Sequence, residues 1–192
     1  MEIAAKETRQ KRKRQQTHTA IMHNAKRLFE EKGLGKVTIE EITEAADISR
    51  STFFSHFDSM DALISEIADI AVKDIIDAYK ASGKSGTEGI LALFDKLVED
   101  SCPYPHFAVE LFLNGIVKER GKTTFSELEQ LIVAELSGRA PLEKYSQSEQ
   151  AALIIGAYFG TVFQKFLRGD SDWNVTNLKK SVKNMINNII GE

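Results

Sequence analysis

The stretch that decides the fold is TIEEITEAADISRSTFFSHF, residues 38–57. Thr38 with Glu41 three residues later has the spacing of a capping box, which predicts that a short helix begins there. Ser49 is a second residue whose side-chain oxygen can accept from the backbone N–H groups of a first helical turn, so another short helix is predicted through Phe54. Two short helices joined by a tight turn form a helix-turn-helix.

The segments on either side of this stretch also have helical periodicity. Residues 21–29 place apolar side chains at i, i+4, i+7 and i+8 before a break at Gly33, and residues 63–79 carry a longer stripe of the same kind. These helices can therefore bury a common apolar face. The residues of 38–57 predicted to lie in that small core are Ile39, Ile42, Ala46, Ile48, Phe53 and Phe57.

The fold class predicted for the whole chain is all-α. Only three prolines occur in 192 residues, and alternating Val/Ile/Thr runs are scarce. We expect about nine helices in total, as an N-terminal three-helix domain containing the helix-turn-helix and a larger C-terminal helical domain. The C-terminal helices are expected at about 87–101, 104–118, 123–137, 147–168 and 174–190.

Charge is distributed unevenly along the chain. The net charge is −3, yet residues 1–60 carry 11 Lys and Arg against 9 Asp and Glu. The basic excess is concentrated before residue 15, and it suits either contact with phosphates or a solvated, disordered tail. The basic residues there are Lys6, Arg9, Lys11, Arg12, Lys13 and Arg14.

Other features of the sequence indicate a cytoplasmic protein without membrane segments. Cys102 is the single cysteine, so no internal disulfide is expected, and no secretory signal pattern opens the sequence. The longest apolar run, residues 151–163, is shorter than the roughly 20 residues that span a bilayer.

Enzymatic patterns are weak. Gly83-Lys84-Ser85 imitates the end of a phosphate-binding loop, but Ala78 stands where the first glycine is required. Cys102 and His106 could suggest a nucleophile pair, yet two prolines interrupt the segment and no orienting acid is evident. The histidines show no ligand spacing. We therefore expect neither an enzyme, nor a metal site, nor a cofactor.

The segment from residue 28 to residue 63 resembles the DNA-binding region of the TetR family of transcription regulators. The resemblance is detailed over about residues 17–65, and helix order alone supports it beyond them. The matching residues are Leu28, Phe29, Gly33, Thr38, Ile39, Ile42, Ala45, Ala46, Ile48, Ser49, Thr52, Phe54, His56, Phe57 and Leu63.

The resemblance implies a recognition helix in the major groove of operator DNA. Arg50 alone among its leading residues is long and forked enough for a guanine edge, while Thr52 and His56 suit phosphate oxygens and Thr38 suits a phosphate at a helix start. The DNA-binding residues expected are Thr38, Ser49, Arg50, Ser51, Thr52, Phe54, His56, Arg12 and Arg14.

Two positions depart from the family pattern, because Phe54 stands where tyrosine is usual and Met60 where lysine is usual. Both replacements remove a polar group that could bind phosphate. The basic segment could compensate by tracking the DNA backbone or by entering the minor groove.

By the same resemblance, the last two long helices pair two copies of the chain into a homodimer that binds a palindromic operator as a repressor. Gly156 and Gly160 would lie at the crossing, although packing within one chain is an alternative reading of both. An unidentified small-molecule effector would bind the C-terminal domain. The candidate lining residues are Phe94, Tyr104, Phe107, Phe112, Tyr158 and Phe163.

The predicted organisation has four parts: a basic arm (1–16), the helix-turn-helix domain (17–60), a connecting helix (61–80), and a ligand-binding and dimerisation domain (81–192). A rival reading is a helical dimeric scaffold or ligand-binding protein whose DNA binding has become non-specific, with Phe54 and Met60 as its signature.

Overall fold

The computed structural model describes residues 2–118, 124–137, 145–169 and 173–191, and in these ranges the regular secondary structure is helical, without strands. The prediction of an all-α fold is therefore confirmed, and the helix starts and ends fall within a few residues of those expected for the C-terminal part. The helices are α1 (Glu2–Lys32), α2 (Ile39–Ala45), α3 (Arg50–Phe54), α4 (Met60–Ser82), α5 (Gly86–Ser101), α6 (Pro105–Lys118), α7 (Thr124–Leu136), α8 (Gln147–Arg168) and α9 (Val175–Ile190), with a 3₁₀ turn at Leu34–Lys36.

Local capping chemistry sets the ends of the short helices. The Thr38 hydroxyl accepts from the backbone N–H of Glu41, and the Glu41 carboxylate accepts from the backbone N–H of Thr38, so the predicted capping box is present. Gly33 has a φ of 86°, a conformation that ends α1 and that other residues rarely adopt. Asp47 has a φ of 51° in the turn between α2 and α3, where aspartate tolerates the left-handed region.

The chain divides into two compact units, residues 1–67 and residues 68–192. The division falls inside α4, which is one continuous helix. The predicted limits at residues 16, 60 and 80 are functional divisions, and they stay predictions. The first unit is built around fully buried side chains from α1 to α4, namely Ile21, Ala25, Phe29, Ile42, Phe53 and Leu63.

Helix α1 is longer than its apolar pattern predicts. Its buried face starts at Ile21, but the helix itself begins at Glu2 and includes the whole basic segment. Ala, Lys, Arg and Gln dominate this segment, and all four are strong helix formers. The basic segment is therefore a helical extension.

The second unit has a continuous apolar core between α5, α7, α8 and α9. Its fully buried members include Ile90, Val98, Ile132, Ile154 and Ile186. Among the helices of the described part of the chain, none is long and apolar enough to cross a bilayer.

A polar contact joins three helices of the second unit. The Glu135 carboxylate accepts from the Tyr79 hydroxyl near the end of α4 and from the backbone N–H of Gly86 at the start of α5. The hydrogen bond to this carboxylate raises the pKa of the Tyr79 phenol to about 12. Gly89 lies against the contact, since an added Cβ would come 3.0 Å from the Tyr79 ring and 3.2 Å from the Lys84 carbonyl oxygen. A larger side chain here would therefore require its neighbours to shift by a few tenths of an ångström.

Candidate nucleic-acid interface

Three hydroxyl groups cluster at the start of α3. The Ser49 Oγ accepts from the backbone N–H of Thr52 at 3.1 Å, and it lies 2.8 Å from both Ser51 Oγ and Thr52 Oγ1. Ser49 and Ser51 are exposed, and Thr52 is half-buried. Capping fixes Ser49, and the three side chains form one polar surface at the end of the helix predicted to meet DNA.

Arg50 is the first residue of α3, and its side chain is 60% exposed. Its guanidinium forms an ion pair with the Glu40 carboxylate of α2. It also lies over the ring of Phe54, one helical turn further along α3, with Cζ 5.4 Å from the ring centroid. The predicted base-reading side chain is thus held by two partners, and the sequence reasoning missed Glu40.

Phe54 lies at the surface of the first unit, 41% exposed, whereas its neighbour Phe53 is completely buried. The two rings meet edge to face, with centroids 5.5 Å apart and an interplanar angle of 85°. From the sequence, Phe54 could equally have been core or contact. Because its ring is exposed, Phe54 is available for contact with DNA, and the face of the ring supports the Arg50 guanidinium.

His56 follows α3 and is half-buried beside a second histidine, His18 of α1, with ring centroids 5.5 Å apart. Burial, followed by the nearby His18 and then Arg14, lowers the pKa of the His56 imidazole. The ring is therefore neutral at neutral pH. A neutral imidazole still has one N–H that can donate to a phosphate oxygen.

Two residues of α1 bind the elements around α3. The Arg14 guanidinium donates to the backbone carbonyl of Ser55 at 3.3 Å, and His18 Nε2 lies 2.7 Å from the Glu66 carboxylate of α4. The His18 ring also stacks on Phe57, with centroids 4.5 Å apart. The sequence reasoning missed His18 and Glu66, because 48 residues separate them and no local spacing links them.

Thr38 is less suited to a phosphate than the sequence suggests. Its hydroxyl and its backbone N–H are both bonded to Glu41, which also forms an ion pair with Lys32 at 2.7 Å. The hydrogen bonds from Lys32 and Thr38 lower the pKa of the Glu41 carboxyl to about 2, so this group is negative at neutral pH. Both Thr38 donors are therefore already bonded within the protein, beside the Glu40 carboxylate, which pairs with a residue of α3.

The basic segment presents its charges on a helix. Arg9, Lys11, Arg12, Lys13 and Arg14 are all exposed. A helix with side chains is about 10–12 Å wide, whereas the minor groove of B-DNA is only about 6 Å wide. Entry into the minor groove, one of the two expectations for this segment, is therefore opposed by its conformation, and contact along the phosphate backbone remains.

The six predicted pocket residues do not share one environment. Phe94, Phe107 and Tyr158 are buried, with the Phe94 and Tyr158 rings 5.9 Å apart, and Tyr104 is half-buried. The Tyr158 hydroxyl donates to Ser101 Oγ at 2.7 Å. Phe112 is a predicted pocket residue whose side chain lies outside the described part of the structure.

Phe163, another residue of the predicted pocket, is 42% exposed on the outer face of α8. Its apolar ring made it a pocket candidate in the sequence, but in the structure it lies one helical turn after Gly160.

Gly156 and Gly160 are exposed too, and a Cβ added at either would meet no described atom within 4 Å. Leu153 and Leu167, 42% and 68% exposed, continue the same face. We call Leu153, Gly156, Gly160, Phe163 and Leu167 the α8 face.

The candidate enzymatic groups have unreactive environments. Burial raises the pKa of the Cys102 thiol, which disfavours the thiolate that a nucleophile requires. His106 packs edge to face on Phe166, with centroids 5.3 Å apart. The described residues contain no group of three or more metal-ligating side chains.

Comparisons with known proteins identify the first unit. Residues 21–67 match the family model described as bacterial regulatory proteins, tetR family. The chain is 24% identical over 182 residues to YvdT, an uncharacterized HTH-type transcriptional regulator of Bacillus subtilis (strain 168), covering 89% of this chain and 93% of that one. It is 28% identical over 116 residues to the HTH-type transcriptional repressor KstR2 of Rhodococcus jostii (strain RHA1), covering 59% and 56% of the two chains.

A solved structure extends the likeness to the fold of the whole chain. A transcriptional regulator of the TerR/AcrR family from Aquifex aeolicus VF5 superposes with a TM-score of 0.68 at 22% identity, over 90% of this chain and 99% of that one. The relatives are named as regulators and not as enzymes. Residues 21–67 therefore match the tetR family of bacterial regulatory proteins, and the chain has the fold of a solved transcriptional regulator.

Proposed function

We propose that this chain is a ligand-responsive repressor of the TetR family that binds a palindromic operator as a homodimer in the cytoplasm. The observation that carries the proposal is the exposed Arg50 guanidinium at the first position of α3, beside the hydroxyls of Ser49, Ser51 and Thr52. A recognition helix contacts base edges with its N-terminal residues and phosphates with the polar groups around them. One relative, KstR2, is named a repressor, which supports that part of the proposal.

Each side chain has a proposed role that follows from its chemistry. The planar fork of Arg50 matches the O6 and N7 acceptors of guanine, and arginine makes this contact more often than other residues. The hydroxyls of Ser51 and Thr52 and the N–H of His56 donate to phosphate oxygens and fix the register of α3 on the duplex. These groups lie on one short helix and the turn that follows it, so one half-site of a few base pairs would be read.

Dimerisation is proposed because one recognition helix supplies too few base contacts for a specific site. The α8 face is apolar, exposed and smooth at its two glycines, and such a face allows close approach of a second helix. Packing within one chain was the alternative reading for Gly156 and Gly160, and the open space around both favours an intermolecular contact.

The proposed effector is a small molecule with apolar or flat groups that binds in the second unit. Phe94, Phe107 and Tyr158 supply buried aromatic surface there, and the Tyr158–Ser101 hydrogen bond supplies a buried polar pair. Ligand sites commonly combine such an apolar lining with a few polar groups.

The first experiment is a selection of random duplexes on the purified protein, on Arg50→Ala and on Arg27→Ala. Arg27 is a suitable control because it is exposed on α1 and pairs with Glu31 of the same helix. We expect the wild type and Arg27→Ala to enrich a palindrome with half-sites about 34 Å apart or a multiple of that. Arg50→Ala should relax the preference at one base of each half-site by roughly 1–3 kcal/mol.

The selection can contradict the proposal in two ways. An unchanged motif with Arg50→Ala would mean that another residue reads the base. Binding of the wild type to random duplex with no enriched sequence would favour the scaffold reading.

The basic extension of α1 is proposed to follow the phosphate backbone outside the half-site. We expect Arg12→Gln/Lys13→Gln to weaken operator binding and to flatten the slope of log affinity against log salt by about 0.9 for each phosphate contact that is lost. The matched control is Lys80→Gln/Lys84→Gln at the end of α4 and just after it, which removes the same charge from an exposed part of the second unit outside α8 and α9. Equal slopes for the two double variants would remove the extension from the interface.

A further inference from the structure

We propose that Glu40 is a positioning residue for sequence recognition: its ion pair holds the Arg50 guanidinium at the start of α3 and keeps it from binding phosphate oxygens of any sequence. This inference rests on the proposed function, because it requires that Arg50 reads a base. It concerns a residue of α2 that has no role in the recognition scheme described above.

Two contacts from different directions restrain the guanidinium. The Glu40 carboxylate reaches it from α2, and the Phe54 ring supports it from the next turn of α3 at 5.4 Å. The Ser49 cap fixes the backbone of the first turn of α3, so the base of the Arg50 side chain is fixed as well. A long, flexible side chain is thereby restricted at both ends before any DNA is bound.

The ion pair contributes little to folding. The side chains of Arg50 and Glu40 are 60% and 62% exposed. Exposed pairs add at most a small stabilisation, because water and salt screen them. The negative charge of Glu40 also lies beside the surface proposed to meet phosphates, where it lowers affinity for every DNA sequence. A contact that does little for stability and opposes general affinity is best explained by an effect on specificity.

The physical mechanism is a competition between two kinds of oxygen. A free arginine binds phosphates anywhere on a duplex, whereas a bidentate contact to guanine needs the fork in one orientation. Pairing with Glu40 occupies the guanidinium on one side and limits its rotamers, so a phosphate must displace a carboxylate. A guanine edge that meets the guanidinium in the orientation set by Glu40 requires less rearrangement of the Arg50 side chain. Specificity is the difference between the affinity for the operator and the affinity for random DNA, and the Glu40 carboxylate acts mainly by lowering the affinity for random DNA.

The test compares Glu40→Gln with Glu44→Gln, which removes the same charge from another exposed position of α2. Affinities are measured for the duplex selected by the wild type and for a random duplex, each over a series of salt concentrations. Glu40→Gln should strengthen random binding, steepen its salt slope and lower the ratio of selected to random affinity about tenfold, within the roughly 5- to 150-fold worth of a bidentate base contact. Glu44→Gln should change both affinities by a similar factor and leave the ratio alone.

The same measurements on Arg50→Ala and on Glu40→Gln/Arg50→Ala show whether Glu40 acts through Arg50. We expect equal ratios for these two variants, and thermal unfolding of Glu40→Gln that matches the wild type. The inference is overturned if Glu40→Gln and Glu44→Gln have the same ratio of selected to random affinity. It is also overturned if Glu40→Gln lowers this ratio in the Arg50→Ala background, or if the lower ratio is accompanied by unfolding of the first unit. Failure of the proposed function looks different, since the wild type itself would then have a ratio near one.

Discussion

Replacement of Phe53 by alanine is expected to destabilise the first unit strongly, whereas replacement of its neighbour Phe54 is expected to have a small effect. Phe53 is fully buried, with the Phe57 ring 5.7 Å away between centroids, and removing a buried phenylalanine costs about 3–5 kcal/mol. Small domains are stable by only about 5–15 kcal/mol in total, so this loss consumes much of the reserve of a unit of 67 residues. Urea unfolding followed by circular dichroism would measure it.

Phe54→Ala is the matched control for Phe53→Ala. Its ring is 41% exposed, meets the Phe53 ring edge to face and lies under the Arg50 guanidinium. Aromatic pairs contribute about 0.5–1.5 kcal/mol beyond burial, and we expect a destabilisation of that order. Similar destabilisation by the two substitutions would contradict the assignment of Phe53 as the centre of this core.

Phe163→Glu on the α8 face is expected to separate the proposed dimer and to abolish most operator binding. The substitution places a charge in the centre of an apolar surface, where an unpaired carboxylate is costly to desolvate. Binding through two linked half-sites can exceed single-site binding by about 10²- to 10⁴-fold, and the monomer would lose that factor. Sedimentation equilibrium and titration of the selected duplex measure the two effects.

Ala134→Glu on α7 controls for the addition of a charge to the second unit. Ala134 is exposed and lies outside the α8 face. Since Phe163 is partly exposed, both variants should retain the helical content of the wild type. A Phe163→Glu protein that remains dimeric, with undiminished operator affinity, would exclude the α8 face as the interface.

Local sequence signals predicted the short helices well, because their caps depend on residues three apart. Thr38 with Glu41, and Ser49 with Thr52, are such pairs, and the structure has both contacts. The helical extension of α1 was harder to predict, since apolar periodicity before residue 17 is absent and charge alone is compatible with a disordered tail. Helix propensity is a weaker signal than apolar periodicity, but in this segment it was the signal that indicated a helix.

Contacts between distant segments account for what the sequence did not predict in the candidate site. The His18–Glu66 pair joins α1 to α4, and the Glu40–Arg50 pair joins α2 to α3. Neither follows from spacing along the chain, because each depends on how the helices pack. The exposure of Phe163 could not be predicted for a related reason: the sequence shows that a ring is apolar, but the packing of α8 decides how much of that ring is buried.

The compactness of the first unit has a consequence for the order in which the protein is synthesised and folds. Its ion pairs, caps and buried side chains lie within residues 1–67, and they include the His18–Glu66 pair, whose members are 48 residues apart. Domains tend to fold as units during synthesis, the N-terminal one first. All residues of the candidate nucleic-acid interface are therefore present in the nascent chain before the ribosome has translated the codons of the α8 face.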